Sequence, residues 1–535
     1  MLWAFAGIVR CLPAAVSERV LASRTALPEV EPMKTSQKRS RGGASGAVKS
    51  APKKGRARPT KERRKATEIT ETRAVDTSLA PAANAGRGVP TLGRTPQDPP
   101  LLHSQTVGQR GPVLEQDAVL HETLEAFVHE KLLERPVHVK GFGALGYFET
   151  THSMKEHTKL AFVQNPGDRV PVAVRFSLAV STKGTPDTSR NVRALSTKFY
   201  TADGIFDLLC NHIPVFLVRD GIRFPEAIHA FLPSPQTNLL DPSRLWRFVA
   251  RAPEATHFIL WLYSDLGTVK SLRHIRTYGV NTYVWRNAEG RRSYVKYHWR
   301  PLEGEQHIDR NEAVRLAGEA PDIAGQDLFD TIAAGKPVQF ELNVQLMDPE
   351  DAGKLPFDPL DDTKVWDEDR HPLLPVGRLV LDRNPDDYTA QVEKIAFSPA
   401  HLLDGVELSD DKMIQARTNI YWDSQRRRLG PEFREIPINH QEGWSPDRLV
   451  TSGEGRVVSG PLVREDLRDP DDFSQAGQKY RSLSAIDQAH LVDNLAVDLA
   501  AVEGDTLTIV LGYLSKASTE LGDRVARQIV RYRKR

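Results

Sequence analysis

Apolar residues recur along this chain at two spacings, and the changes between them mark out its parts. In "GPVLEQDAVLHETLEAFVHEKLLERP" (111–136), Val119, Leu120, Leu124, Phe127 and Val128 fall on one stripe at helical spacing, which predicts an amphipathic helix. The texture then changes. "RVPVAVRFSLAV" (169–180) is nearly continuous in apolar residues and reads as a buried strand. "TKFYTADGIFDLLCNHIPVFLVRD" (197–220) reads as two strands around an Ala202-Asp203-Gly204 turn. "TYVWRNAEGRRSYVKYHW" (282–299) alternates on both sides of Asn287-Ala288-Glu289-Gly290, a hairpin signal. "PVQFELNVQLMD" (337–348) supplies another strand. So many strands close together predict a sandwich or a closed barrel. Residues 384–475 show little regular pattern apart from a helix around Tyr421, as in segments that wrap over a neighbour. From Tyr480 onward helical spacing returns, with Leu491, Leu495, Leu499 and Val502 on one face.

Charge changes the picture at the N-terminal end. Residues 34–65 carry 13 Lys/Arg against one Asp/Glu, although the whole 535-residue chain has a net charge of only +2. A basic segment therefore precedes a mildly acidic body. Residues 34–110 are almost free of aromatics, so they cannot bury enough apolar surface to offset the entropy of ordering. They read as a disordered, solvated tail, with nonspecific contact to nucleic acid or an acidic surface as the second reading. The apolar opening "MLWAFAGIV" is too short to span a bilayer, and no basic residue precedes it as in a secretory signal. Met33 is a second plausible start, which makes residues 1–32 an extension or an unusual leader. Two cysteines, Cys11 and Cys210, argue against a disulfide framework, and no CxxC pattern supports a zinc ribbon or a covalently attached haem. A cytoplasmic, non-membrane protein is expected, with export as the lesser alternative.

Candidate chemistry begins at "ARTNIYWDSQRRRLGP" (416–431). A helix-start signal stands at Ser409, and no Pro or Gly interrupts 409–429. At 100° per residue, Arg417, Tyr421 and Arg428 share one stripe. Guanidinium groups beside a phenol favour its ionised form, and a phenolate is a hard anionic ligand suited to ferric iron. On this stretch alone the plainer reading is a surface tyrosine on a basic helix. In "FVHEKLLERPVHVKGFGALGYFE" (127–149), His138 lies in an extended segment, before glycines that allow close approach to something flat. In "DLLCNHIPVFLVRDGIRFP" (207–225), Asn211 precedes an apolar run, as either a structural clamp or a polar handle for a small ligand.

Taken together, "ERPVHVKG", "PVAVRFS", "TKFYTADG", "PVFLVRD", "TKVW", "PVGRLVLDRNP", "IAFSPAHL" and "MIQAR…Y…RRRLGP" resemble the haem catalases in order and approximate spacing, from about Gly111 to the C-terminus. The resemblance implies an α+β fold with an eight-stranded antiparallel β-barrel. It also implies an N-terminal arm, a wrapping segment and a C-terminal helical region. The corresponding division is a basic extension (1–110), an arm helix (111–138), a barrel domain (139–383), a wrapping segment carrying the tyrosine helix (384–475) and a helical region (476–535). The implied activity is disproportionation of hydrogen peroxide to water and dioxygen on haem b, in a homotetramer. One peroxide oxidises the haem and a second reduces it back. By matched motif, Tyr421 is the iron ligand, His138 the distal proton carrier, Asn211 the peroxide-holding amide and Ser177 the partner of the distal imidazole. Arg417 pairs with the Tyr421 oxygen. Arg135, Arg175 and Arg428 meet the haem propionates. Val137, Phe216, Phe224 and Met413 pack against the haem or narrow its approach.

The chain also departs from the family pattern. Asn191 stands where an aspartate is associated with the substrate channel, and Gln425 where a histidine is common. His257, Arg300, Val365 and Trp366 match an NADPH site, but Leu266 replaces an arginine and Glu368 a histidine, so weak or absent NADPH binding is expected. The alternatives are a haem peroxidase or a hydroperoxide-rearranging enzyme on the same scaffold, and a non-enzymatic binding protein. The rearranging relatives carry Thr beside the distal histidine, whereas this chain has Val137.

Overall fold

Alternation of large apolar side chains is what closes the central sheet. The computed structural model describes residues 103–534, apart from 108, 110, 111, 114, 130, 131, 442–461, 463, 468 and 469. The basic tail as far as residue 102, the leader and Cys11 lie outside the described residues. Ten strands follow in chain order: β1 (Gly141–Thr150), β2 (Arg169–Leu178), β3 (Arg193–Thr201), β4 (Gly204–Asn211), β5 (Thr277–Tyr278), β6 (Tyr283–Arg286), β7 (Arg292–Pro301), β8 (Val338–Met347), β9 (Leu374–Arg383) and β10 (Val406–Leu408). Eight form a closed antiparallel ring, β1-β2-β3-β4-β5-β7-β8-β9, in which β9 returns to β1. β6 and β10 extend outward from β7. Phe148, Phe199 and Trp299 are fully buried and pack edge-on or stacked, with ring centroids 5.5–6.5 Å apart. Along β7, the apolar Val295, Tyr297 and Trp299 alternate with the polar Lys296 and His298, so the apolar side chains share one face although all five are buried.

Among the described residues there are eleven α-helices: α1 (Ala118–His129), α2 (Phe224–Phe231), α3 (Pro242–Ala250), α4 (Ala255–Tyr263), α5 (Arg310–Glu319), α6 (Ile323–Ala333), α7 (Lys412–Leu429), α8 (Ser474–Ser482), α9 (Ala485–Leu499), α10 (Gly504–Ala517) and α11 (Thr519–Lys534). A second core joins α2–α4 to α8–α11 through Trp246, Leu260, Leu495 and Val525. The expected face of Leu491, Leu495, Leu499 and Val502 is buried in it. No helix among the described residues is long and apolar enough to cross a membrane.

Three expectations change. Residues 212–220 do not continue β4 as an apolar strand. Ile213, Val215, Leu217 and Val218 are all buried in the helical core, so the run is apolar because it is surrounded, not because it alternates. Of the stripe on α1, Val119 and Leu120 are half-buried and Leu124 is 55% exposed, so these three do not form a buried face. The glycines after His138 lie in β1 and admit neighbours from the same chain. A Cβ at Gly143 would come within 2.3 Å of Val392, and one at Gly146 within 1.9 Å of the Val380 carbonyl oxygen.

Candidate active site

His138 sits just before β1 with φ +60°, a left-handed conformation that a non-glycine residue keeps only where its surroundings enforce it. Its N–H donates to the Ala179 carbonyl at 2.7 Å. Its carbonyl accepts from Arg175 Nη1 at 2.9 Å, and Arg175 Nη2 holds the next carbonyl, that of Val139, at 2.9 Å. The imidazole Nδ1 lies 3.0 Å from Ser177 Oγ, at the end of β2 opposite Gly141. Burial, then the charges of Arg175, Arg417 and Arg135, push the imidazole pKa down to about 3, so the ring is neutral at physiological pH. Val137 is half-buried beside it. Asn211 closes β4 opposite Ala194 and Tyr278. Its side-chain amide bonds to no described residue.

The tyrosine lies on α7. The helix is capped by Asp411, whose carboxylate accepts from the Met413 and Ile414 amides, rather than by the expected Ser409. The Ser409 hydroxyl instead donates to the Thr282 carbonyl at 2.5 Å and ties the approach to the barrel. One turn separates Arg417 from Tyr421, and Arg417 Nη2 donates to Tyr421 Oη at 3.0 Å. Arg417 Nη1 donates to Asn281 Oδ1 at 2.5 Å, and Asn281 Nδ2 donates to Asp411 Oδ2 at 2.8 Å. The guanidinium is thus aimed by a network that also caps the helix, and burial notwithstanding, Tyr421 and other nearby groups raise its pKa. Met413 is buried in the first turn, within the helical core. Phe216 and Phe224 stack with centroids 6.1 Å apart at 21°. Gly221, between them in sequence, lets α7 come close, because a Cβ there would meet that of Ala416 at 2.3 Å.

Arg428 does not join the tyrosine as its place on the helical wheel suggested. Its Nη2 donates to the Glu393 carbonyl at 3.0 Å. Arg135 Nη2 donates to the carbonyls of Glu393 and Ile395 at 2.7 and 3.1 Å, and Arg135 Nη1 lies 3.1 Å from Glu393 Oε1. Arg175 Nη2 is 4.0 Å from Glu393 Oε2, and Arg428 Nη1 is 3.7 Å from Oε1. Three guanidinium groups therefore surround one buried carboxylate, an excess of two positive charges. Arg175 Nε, Arg428 Nε and Arg428 Nη1 are buried without hydrogen-bond partners. Burial and the neighbouring Arg175 press Arg428 down to about 10, against the pull of Glu393.

Sequence reasoning missed Glu393 and Asn281. Glu393 ends a π-helical turn, Thr389–Glu393, which has neither strand nor α-helix periodicity. It immediately precedes the matched "IAFSPAHL" stretch after Lys394, and that adjacency was the available signal. Asn281 lies in the loop before β6, with no local pattern to announce it.

The departures also have local explanations. The Asn191 amide is occupied: Oδ1 accepts from the Val180 amide at 3.2 Å, and Nδ2 donates to the Val180 carbonyl at 2.6 Å. Gln425 is buried, with its Oε1 unpartnered. Glu368 pairs with Arg276 at 2.5 Å, which offsets the charge expected to repel a dinucleotide. His257 is committed through Nδ1 to the Thr363 carbonyl and through Nε2 to Trp261, and the Trp366 indole donates to the Pro359 carbonyl. The Lys479 ammonium lies over the Trp261 ring, 3.5 Å from its centroid.

Known proteins match this arrangement closely. The family model described as catalase matches residues 95–457, and that described as catalase-related immune-responsive matches 466–529. Catalase isozyme 3 of Zea mays is 40% identical over 456 residues, covering 79% of this chain and 92% of that protein. Catalase-1 of Arabidopsis thaliana is 39% identical over 457 residues, covering 80% and 93%. Among solved structures, a fungal catalase superposes with a TM-score of 0.77 at 34% identity, covering 83% of this chain and 96% of that one. Catalase A from Saccharomyces cerevisiae gives 0.76 at 32%, covering 82% and 97%. With barrel, tyrosine helix and C-terminal helices all included in these matches, the chain belongs to the catalase family.

Proposed function

We propose that this protein disproportionates hydrogen peroxide to water and dioxygen, with haem b seated between His138 and Tyr421. The residues fit that group. A buried excess of two positive charges with unpartnered guanidinium donors suits two propionate carboxylates, which bind arginine through charge-assisted, often bidentate hydrogen bonds. Tyr421 Oη would be the iron ligand, oriented by the hydrogen bond it accepts from Arg417. Phe216, Phe224, Met413 and Val137 form apolar walls. When bound, haem supplies an iron centre that accepts oxidising equivalents from one peroxide and returns them to the next.

The protein's own part is to place and move protons. Asn211 holds the peroxide through its amide. His138, neutral and with Nε2 open, would take a proton from one peroxide oxygen and hold it for delivery to the other. Ser177 at Nδ1 fixes the ring orientation and its tautomer. The observation that carries this reading is a neutral, oriented imidazole lying in the field of the same Arg417 that bonds the tyrosine.

A homotetramer is the proposed assembly, and the exposed Leu124 and Leu133 of the arm region support it. The division into extension (1–110), arm (111–138), barrel (139–383), wrapping segment (384–475) and helical region (476–535) belongs to the same proposal. The buried free thiol of Cys210 is in keeping with a cytoplasmic location. Weak NADPH binding is expected, since His257 and Trp366 are already bonded within the chain. Oxygen release from purified, haem-loaded protein given peroxide and no organic donor tests the reaction. Half a mole of O2 per mole of peroxide is expected. Peroxide consumption only with an organic donor would replace this reading with a peroxidase.

A further inference from the structure

Helices α5, α9 and α11 enclose a cleft of about 470 Å³, outside the site described above. α11 lines it with Arg524, Arg527 and Arg531, spaced so that they share one helix face. α9 contributes His490, and the start of α5 contributes Arg310. The two carboxylates on the walls already have partners. Asp309 caps α5, accepting from the Asn311 and Glu312 amides at 2.7 and 3.0 Å. Asp493 accepts from Gln528 Nε2 at 3.0 Å and Tyr532 Oη at 2.5 Å.

Arg524 is bonded to Tyr480, Gln488 and Glu520. Arg531 reaches only Gln528, at 3.2 Å. Arg527 makes no hydrogen bond or ion pair with any described residue. The fold does not need these cations, because α11 packs through Leu521, Val525 and Ile529. Like charges one turn apart disfavour each other on a helix. Arg310 Nη1 lies 3.9 Å from Asp493 Oδ2 and Arg524 pairs with Glu520, so the excess positive charge that a bound anion would neutralise belongs to Arg527 and Arg531.

We propose that this cleft binds a small molecule carrying a diphosphate group. Guanidinium groups recognise phosphoryl oxygens bidentately. Arg527 and Arg531 are one turn apart, roughly 5–6 Å between Cβ atoms, so each can take one of two linked phosphoryl groups. Arg310, beside Asp493, and His490, whose Nδ1 is held 2.6 Å from Asp265 Oδ2, stand on the other walls. A single phosphate would engage only one level of this ladder. The site is distinct from the matched dinucleotide residues, since none of His257, Arg300, Val365 and Trp366 lines it.

Titration calorimetry on the full-length, haem-loaded protein tests the inference, with pyrophosphate, inorganic phosphate and a nucleoside diphosphate as probes. Pyrophosphate is expected to bind at least tenfold more tightly than phosphate. The double variant Arg527→Gln/Arg531→Gln should weaken pyrophosphate at least tenfold, while Arg315→Gln, on α5 outside the cleft, should not. Both cleft arginines are exposed, so the variants should keep the wild-type circular dichroism and oxygen release. A nucleoside diphosphate that matches pyrophosphate would mean that the diphosphate alone is read; tighter binding would mean that the organic part is seated too. No saturable pyrophosphate binding by the wild type, undiminished binding by the double variant, or equal loss in Arg315→Gln would overturn the proposal.

Discussion

Two of the buried ionic clusters among the described residues differ, one being complete and the other incomplete. In the barrel wall, Lys198 Nζ donates to both oxygens of Asp207, at 2.8 and 2.9 Å, and both side chains are fully buried. Asp207 also accepts from the Ser398 amide at 2.9 Å and pairs with His401 Nδ1 at 2.6 Å. One cation meets one anion, and every polar atom of the pair is bonded. Around Glu393, three guanidinium groups meet one carboxylate, and buried nitrogens of Arg175 and Arg428 have no partner. Burying charge is costly unless it is paired and bonded. The first cluster meets that condition within the chain, so its role is to hold the fold. The second does not meet it within the chain, in keeping with the proposed role of holding a ligand's two negative charges.

The largest expected effect separates holding the ligand from turning over substrate. His138→Ala leaves both clusters intact, so the haem absorption band should persist while oxygen release falls by about 10²–10⁴-fold. Normal oxygen release by this variant would remove His138 from the proton-transfer role. Next, Asp207→Ala strands a buried ammonium and should cost about 3–5 kcal/mol in chemical denaturation, equally with and without haem. A loss confined to the haem-loaded form would mean that this cluster is not purely structural. Arg428→Gln should behave in the opposite way. It relieves repulsion in an excess-positive cluster, so haem-free stability should stay within about 1 kcal/mol. Haem retention, read by transfer to an apo-globin acceptor, should weaken roughly tenfold, as for one charge-assisted hydrogen bond.

Acid should act on the fold through its buried histidines. Burial holds His138 and His298 down to about 3 and His257 down to about 4, against an ordinary value near 6.5. Between those values the unfolded chain binds more protons than the folded one, so stability is fully present above pH 6.5 and falls as pH drops. Burial also raises the carboxyls of Asp362, Asp411, Glu254 and Asp498, the last to about 7, and these act with the opposite sign, so the histidine contribution is read as a difference. From pH 7.5 to pH 5 the denaturation midpoint of the wild type should lose more than that of His298→Gln. An equal or larger loss in the variant would refute this assignment. The smallest effect is expected from removing residues 1–102, which should leave haem content and oxygen release within error.

How much of this was legible in sequence depended on whether a feature repeats locally. β2, the β6–β7 hairpin and β8 announce themselves because one face of each strand packs inward. β1 does not, because Gly141, Gly143 and Gly146 make room for neighbours instead of supplying alternating side chains. α4 was silent for the opposite reason: nearly all of its residues are buried, which erases any apolar stripe. Arg417 and Tyr421 could be paired from their spacing, since one helical turn brings them together. Glu393 could not, because Arg135 and Arg428 reach it from opposite directions in the chain. Ser409 reads as the cap in sequence, but Asp411, two positions on, is also a cap-type residue, and only the reach of its carboxylate to two amides decides for it.

The most direct test of the difference between the two clusters is to titrate haem-free protein with haem and with its dimethyl ester, whose propionates carry no charge. If the cluster around Glu393 is completed by the two carboxylates, the ester should bind at least about tenfold more weakly, and Arg428→Gln should reduce that gap. Equal affinity for haem and ester would mean that the buried arginines do not read the propionates, and it would contradict the account.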